Sequence, residues 1–67
     1  MSCFAIFHNA KQLRVFSYEI NSFSDRERAK RLAHEFADKS HAAGYPCEVE
    51  EFNMSGVGCT VYRTKKD

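Results

Sequence analysis

The 67 residues include no tryptophan, one proline and three glycines. So little proline and glycine excludes a collagen-like or low-complexity chain, and it turns those few residues into punctuation. Long apolar runs are missing as well, and nothing approaches the roughly 20 residues needed to span a bilayer. Met1 to Phe7 has no basic lead and only a short apolar run, so no secretory leader is expected and the cytoplasm is the expected compartment. Neither sign of charge is in excess: ten Lys and Arg stand against nine Asp and Glu, for a net charge of +1. A dedicated duplex-binding domain is usually far more basic.

Cysteine is scarce and odd in number. Cys3, Cys47 and Cys59 form no close pair, which argues against a disulfide-stapled secreted fold. One Cys47–Cys59 bridge between neighbouring strands is conceivable, but three small buried thiols is the expectation. Catalytic signatures are missing too. Gly56-Val57-Gly58 reads as a hairpin turn, not as a phosphate loop opening a helix. No spacing links a cysteine to a histidine as nucleophile and base. Glu48, Glu50 and Glu51 are adjacent carboxylates, but a short strand implies no cleft for acid–base work. A non-enzymatic chain without cofactor or metal is expected.

What is present is one helix with both ends written out. Ser24-Asp25-Arg26-Glu27 reads as a capping box, and Gly44 as a left-handed stop, giving a helix over residues 25–43. Ala29, Leu32, Ala33, Phe36, Ala37, Ser40 and Ala43 share one face at helical spacing. Such a stripe needs a partner surface, and the runs on either side supply a sheet. Strands are expected at residues 3–8, 13–20, 47–52 and 57–64, with turns at Asn9 to Gln12 and Asn53 to Gly56 and a frayed tail after Thr64.

The order is ββαββ, a single α+β domain over residues 1–67: a four-stranded antiparallel sheet with the helix packed on one face. Strand one beside strand three gives the order 2-1-3-4; strand one beside strand four is the runner-up. A core this small contributes only about 3–5 kcal/mol net, so a partner or a second copy would help to stabilise it.

Period-two alternation assigns the faces. Phe4, Ile6, Phe16, Tyr18, Ile20, Cys47, Val49, Val57, Cys59 and Val61 are expected to face the helix. Ala5, Phe7, Val15, Ser17, Glu48, Glu50, Phe52, Thr60 and Tyr62 are expected on the opposite face, which one helix cannot cover.

Three surfaces invite a functional reading. His34, Asp38 and His41 lie on one outer quadrant of the helix at i, i+4 and i+7. Two imidazoles and a carboxylate are zinc-ligand chemistry. The fragment resembles a zincin H-E-x-x-H helix, but Asp38 stands where the second histidine belongs and no further ligand is evident, so a solvated face is expected. Arg26, Arg28, Lys30 and Arg31 crowd the helix start, and with sheet aromatics they offer a nucleic-acid-binding alternative. Against it, the pairs Glu27–Arg31, Arg31–Glu35 and Glu35–Lys39 are placed to satisfy one another at i, i+4. The third surface is the uncovered sheet face. There Phe7, Phe52 and Tyr62 supply apolar anchors, and the acidic strand Glu48, Glu50 and Glu51 suits a basic surface on a protein partner. Exposed strand edges also admit a homodimer.

In size and pattern the whole chain resembles small phage-encoded inhibitors of host machinery. RNA polymerase inhibitors and anti-CRISPR proteins include such compact sheet-plus-helix chains without catalytic residues. The resemblance implies a stoichiometric blocker, in the host cytoplasm, of a functional surface on a nucleic-acid-processing complex. It carries no diagnostic residue.

Overall fold

The computed structural model describes residues 2–53 and 56–65. Four strands and one helix follow in the order β1 (Ser2–His8), β2 (Lys11–Tyr18), α1 (Phe23–Ala42), β3 (Glu48–Phe52) and β4 (Gly58–Arg63). All pairings are antiparallel and the sheet order is β2-β1-β3-β4. The expected α+β ββαββ architecture is the observed one. Of the two strand orders open to the sequence, the one with β1 beside β3 is adopted.

The first hairpin turns on Asn9 and Ala10 alone, and Lys11 and Gln12 belong to β2 rather than to the turn. Both turn residues have positive φ, 50° and 66°. That geometry matches the right-handed twist of the flanking strands. The second hairpin turn falls partly outside the described residues, as do Lys66 and Asp67 of the expected frayed tail. Its described flank is closed by Gly56 N–H donating to the Asn53 carbonyl at 3.0 Å.

The helix begins two residues earlier than its capping signature suggests. The cap is Ser22, not Ser24: Ser22 is extended, and its Oγ accepts from Asp25 N–H at 3.2 Å. Asp25 in turn accepts from Glu19 N–H at 2.7 Å, tying the entry loop to the first turn. At the other end Gly44, with φ of 99°, closes a Schellman motif. Tyr45 N–H donates to the Ser40 carbonyl at 2.8 Å and Gly44 N–H to that of His41 at 3.0 Å.

The core lies between α1 and one face of the sheet. Ala29, Ala33 and Ala37 are fully buried, and so are Phe4, Ile6 and Val49 beneath them. Small helix residues let the backbone approach the sheet, while Phe16, Phe36 and Tyr62 close the flanks. Leu32 and Ser40 are half-buried, and Ala43 is exposed and leaves the stripe.

Several residues expected inward are not buried. Ile20 lies beyond β2 and is exposed, and Val57, Cys59 and Val61 are exposed where α1 does not reach. The thiols follow the same division: Cys47 is buried, Cys3 half-buried and Cys59 exposed, and all three are free. Cys59 stands opposite Glu51, while Cys47 lies before β3 begins, at the far end of the hairpin, so the conceivable bridge has no register to form in.

Candidate functional site

Two bulges decide which side chains reach the uncovered face. The register of β1 and β2 shifts between Ile6 and Phe7, leaving Leu13 without a partner. The register of β3 and β4 shifts between Val49 and Glu50: Val49 faces Tyr62 and Glu50 faces Thr60, so Val61 is the extra residue. A bulge reverses the alternation beyond it. Tyr62 is thereby moved from its expected place on the uncovered face to the helix side, opposite Val49. Strict period-two reading places it wrongly because one extra residue precedes it.

On the helix side Tyr62 is engaged. Its ring stacks on His34 with centroids 4.2 Å apart and an interplanar angle of 17°. Its hydroxyl donates to Asp38 Oδ1 at 2.6 Å, and this hydrogen bond raises the phenol pKa. The expected solvated His-Asp-His face is therefore partly a packing face. His34 is half-buried, its Nε2 is buried without a hydrogen-bond partner, and burial lowers its pKa. No group of three or more His, Cys, Asp or Glu suited to a metal ion occurs among the described residues.

The helix side also takes up Glu51 and Arg26. Arg26 binds Glu51 bidentately, Nε to Oε2 at 2.8 Å and a terminal nitrogen to Oε1 at 2.9 Å. The Tyr18 hydroxyl donates to the same carboxylate. The Arg26 guanidinium also lies 5.6 Å from the Phe4 ring centroid. This network joins β2, β3 and α1 over the core. The hydrogen bonds from Arg26 hold the Glu51 carboxyl below its ordinary value. Burial raises the Tyr18 phenol, with Glu51 adding to it. Among the residues expected to meet a partner, Glu51 faces inward and is already bound.

The basic helix start divides in the same way. Arg26 is occupied, and Arg28 pairs with Asp25 at 2.8 Å. The expected i, i+4 pairs on α1 do not form among the described residues; the ion pairs there are Arg26–Glu27, Arg26–Glu51, Arg28–Asp25 and Arg63–Glu48. Lys30 and Arg31 remain outside these pairs, on the helix and away from the sheet aromatics.

The uncovered face is assembled from all four strands. Val15 of β2, Ala5 of β1, Glu50 of β3 and Thr60 of β4 stand in one cross-strand row. Phe7 and Glu48 stand in the next row, and Cys3 and Phe52 in the row on the other side. Ala5 is only 2% exposed although no helix covers it, because larger neighbours flank it on both sides. Phe7 and Phe52 are half-buried and Val15 is 38% exposed. Phe52 lies across Gly58: a Cβ there would meet its ring at 2.4 Å, so the glycine is what lets the ring lie flat on the face. Sequence reasoning found Phe7, Phe52, Glu48 and Glu50 here and missed the role of Gly58, which only the cross-strand register reveals.

Another apolar group was not anticipated. Phe23, the first residue of α1, is 76% exposed, and Ile20 beside the same loop is 48% exposed. Once Ser22 is recognised as the cap, Phe23 falls at the first helical position. No helix of the described residues is long and apolar enough to cross a membrane. Comparison with known proteins finds no matching family model, no matching curated protein and no matching solved structure.

Proposed function

We propose that this chain is a non-enzymatic protein-binding module that docks through its uncovered sheet face. In this reading it acts in the cytoplasm as a small phage-type inhibitor, occluding a surface of a host nucleic-acid-processing complex. The observation that supports it is the composition of that face. Phe7 and Phe52 lie at its two ends, with Val15 and Ala5 between them and the carboxylates of Glu48 and Glu50 alongside. Rings anchor an interface, and flanking acids select a partner rich in Lys and Arg, which is the character of surfaces that carry nucleic acid. Binding by occlusion needs no cofactor.

The nucleic-acid alternative has lost two of its four cations to internal pairs, Arg26 and Arg28. Glu48 and Glu50 also place negative charge beside Phe7 and Phe52 on that face. The two readings differ in their response to salt and nuclease. Capture of the tagged chain from host lysate should retain a protein partner after nuclease treatment, with a weak dependence on salt. Loss of all captured material with nuclease, or a steep linear fall of log affinity with log salt, is the signature of phosphate binding and would overturn the proposal.

A further inference from the structure

At the end of the sheet where β1 and β4 stop and β3 begins, the chain makes hydrogen bonds that the strand ladder does not require. Thr64 N–H and Thr64 Oγ both donate to the Cys47 carbonyl, at 3.0 and 3.2 Å, and Cys47 N–H donates to Thr64 Oγ at 2.8 Å. Across from them His8 Nδ1 donates to the Pro46 carbonyl at 2.7 Å. That bond places the ring proton on Nδ1 and leaves Nε2 to accept from the Asn9 side-chain amide at 3.3 Å. Together these bonds fix the walls of a cavity of about 560 Å³, within the size range of small-molecule sites.

The lining is chemically one-sided. Phe7 and Pro46 supply apolar wall. Arg63 and Lys65 both line the cavity, one on either side of the pinned Thr64. The carboxylate of Glu48 in the lining is met by Arg63 Nε at 3.3 Å. Lys65 takes part in no ion pair among the described residues, and the Asn9 amide has a second N–H. The groups this lining offers a ligand are donors and cations.

We propose that this cavity binds a small organic anion. Arg63, Lys65 and Asn9 hold a phosphate monoester or carboxylate group, and its apolar body rests against Phe7 and Pro46. The cavity shares Phe7 and Glu48 with the proposed docking face, and small molecules alone test it without a protein partner.

The experiment is a ¹⁵N-labelled NMR titration of the full chain with phenyl phosphate, benzoate and the neutral benzyl alcohol. Saturable shifts centred on Asn9, Thr64 and Lys65 with either anion, and none with the alcohol, are expected; the tighter anion identifies the headgroup. Arg63→Gln with Lys65→Gln should weaken binding by about tenfold or more, while the remaining spectrum confirms the fold. Four results would overturn the proposal: no saturable shift with either anion up to about 10 mM, shifts centred on the helix start, equal binding of the alcohol, or an unchanged affinity in the double variant.

Discussion

At the scale of the residue, the informative positions are those whose partners lie across the fold. His34 was expected on a solvated helix face and is instead stacked under Tyr62, with its Nε2 buried. Burial lowers its pKa from 6.5, Lys30 adds to the effect and Asp38 opposes it. The unfolded chain therefore takes up the proton more readily than the folded one. Stability is full above the unfolded value and falls as pH drops through it, until the folded form is protonated as well. His34→Phe keeps a ring against Tyr62 and removes the proton. Urea midpoints of the wild type should decline between about pH 7 and pH 5.5, and those of His34→Phe should decline less; parallel curves would show that His34 does not couple to folding. Glu51 has the same sign in a more acidic window. Its carboxyl is depressed below 4.5 by Arg26, so its contribution is present above that pH and is lost as pH falls through the folded value.

At the scale of the element, the sequence was legible wherever a local rule suffices. The helix, its alanine stripe, the Gly44 stop and all four strands could be read from spacing and turn residues, because each depends on neighbours in the chain. The helix start was displaced by two residues because Ser22 and Ser24 are both plausible caps and Glu27 made the second one attractive. In the folded chain Asp25 takes the position three residues after the cap and accepts from Glu19 N–H. Replacing Ser22 by Ala should cost about 1 kcal/mol and replacing Ser24 by Ala no more than a few tenths, read by chemical denaturation of the two variants. Equal losses, or a larger loss at Ser24, would contradict the assignment of the cap. The bulges at Leu13 and Val61 were not legible. A bulge is a property of two paired strands and leaves no mark on the alternation of one. It moves Tyr62 to the helix side, and it is why the candidate face keeps Phe7 and Phe52 and loses its third ring. The partners of Glu51 were not legible, since Arg26 and Tyr18 are 25 and 33 positions away.

At the scale of the molecule, one helix on a four-stranded sheet divides the chain into a structural side and an uncovered side. The structural side holds the Arg26–Glu51–Tyr18 network and the His34–Tyr62–Asp38 contact, which together fasten β2, β3 and β4 to α1. The polar groups that looked functional on the helix are largely absorbed there. The uncovered side keeps the rings of Phe7 and Phe52 and the carboxylates of Glu48, which is paired with Arg63, and Glu50, and the assignment of function to that side is the central claim. The measurement that tests it most directly is a side-by-side capture with three forms of the chain, each first shown to be folded by circular dichroism: wild type, Phe7→Ser, and Lys30→Gln combined with Arg31→Gln. The account predicts that Phe7→Ser weakens the nuclease-resistant protein partner by about tenfold or more and that the helix variant retains it. Full retention by Phe7→Ser, with loss in the helix variant, would place the working surface on the helix and contradict the account.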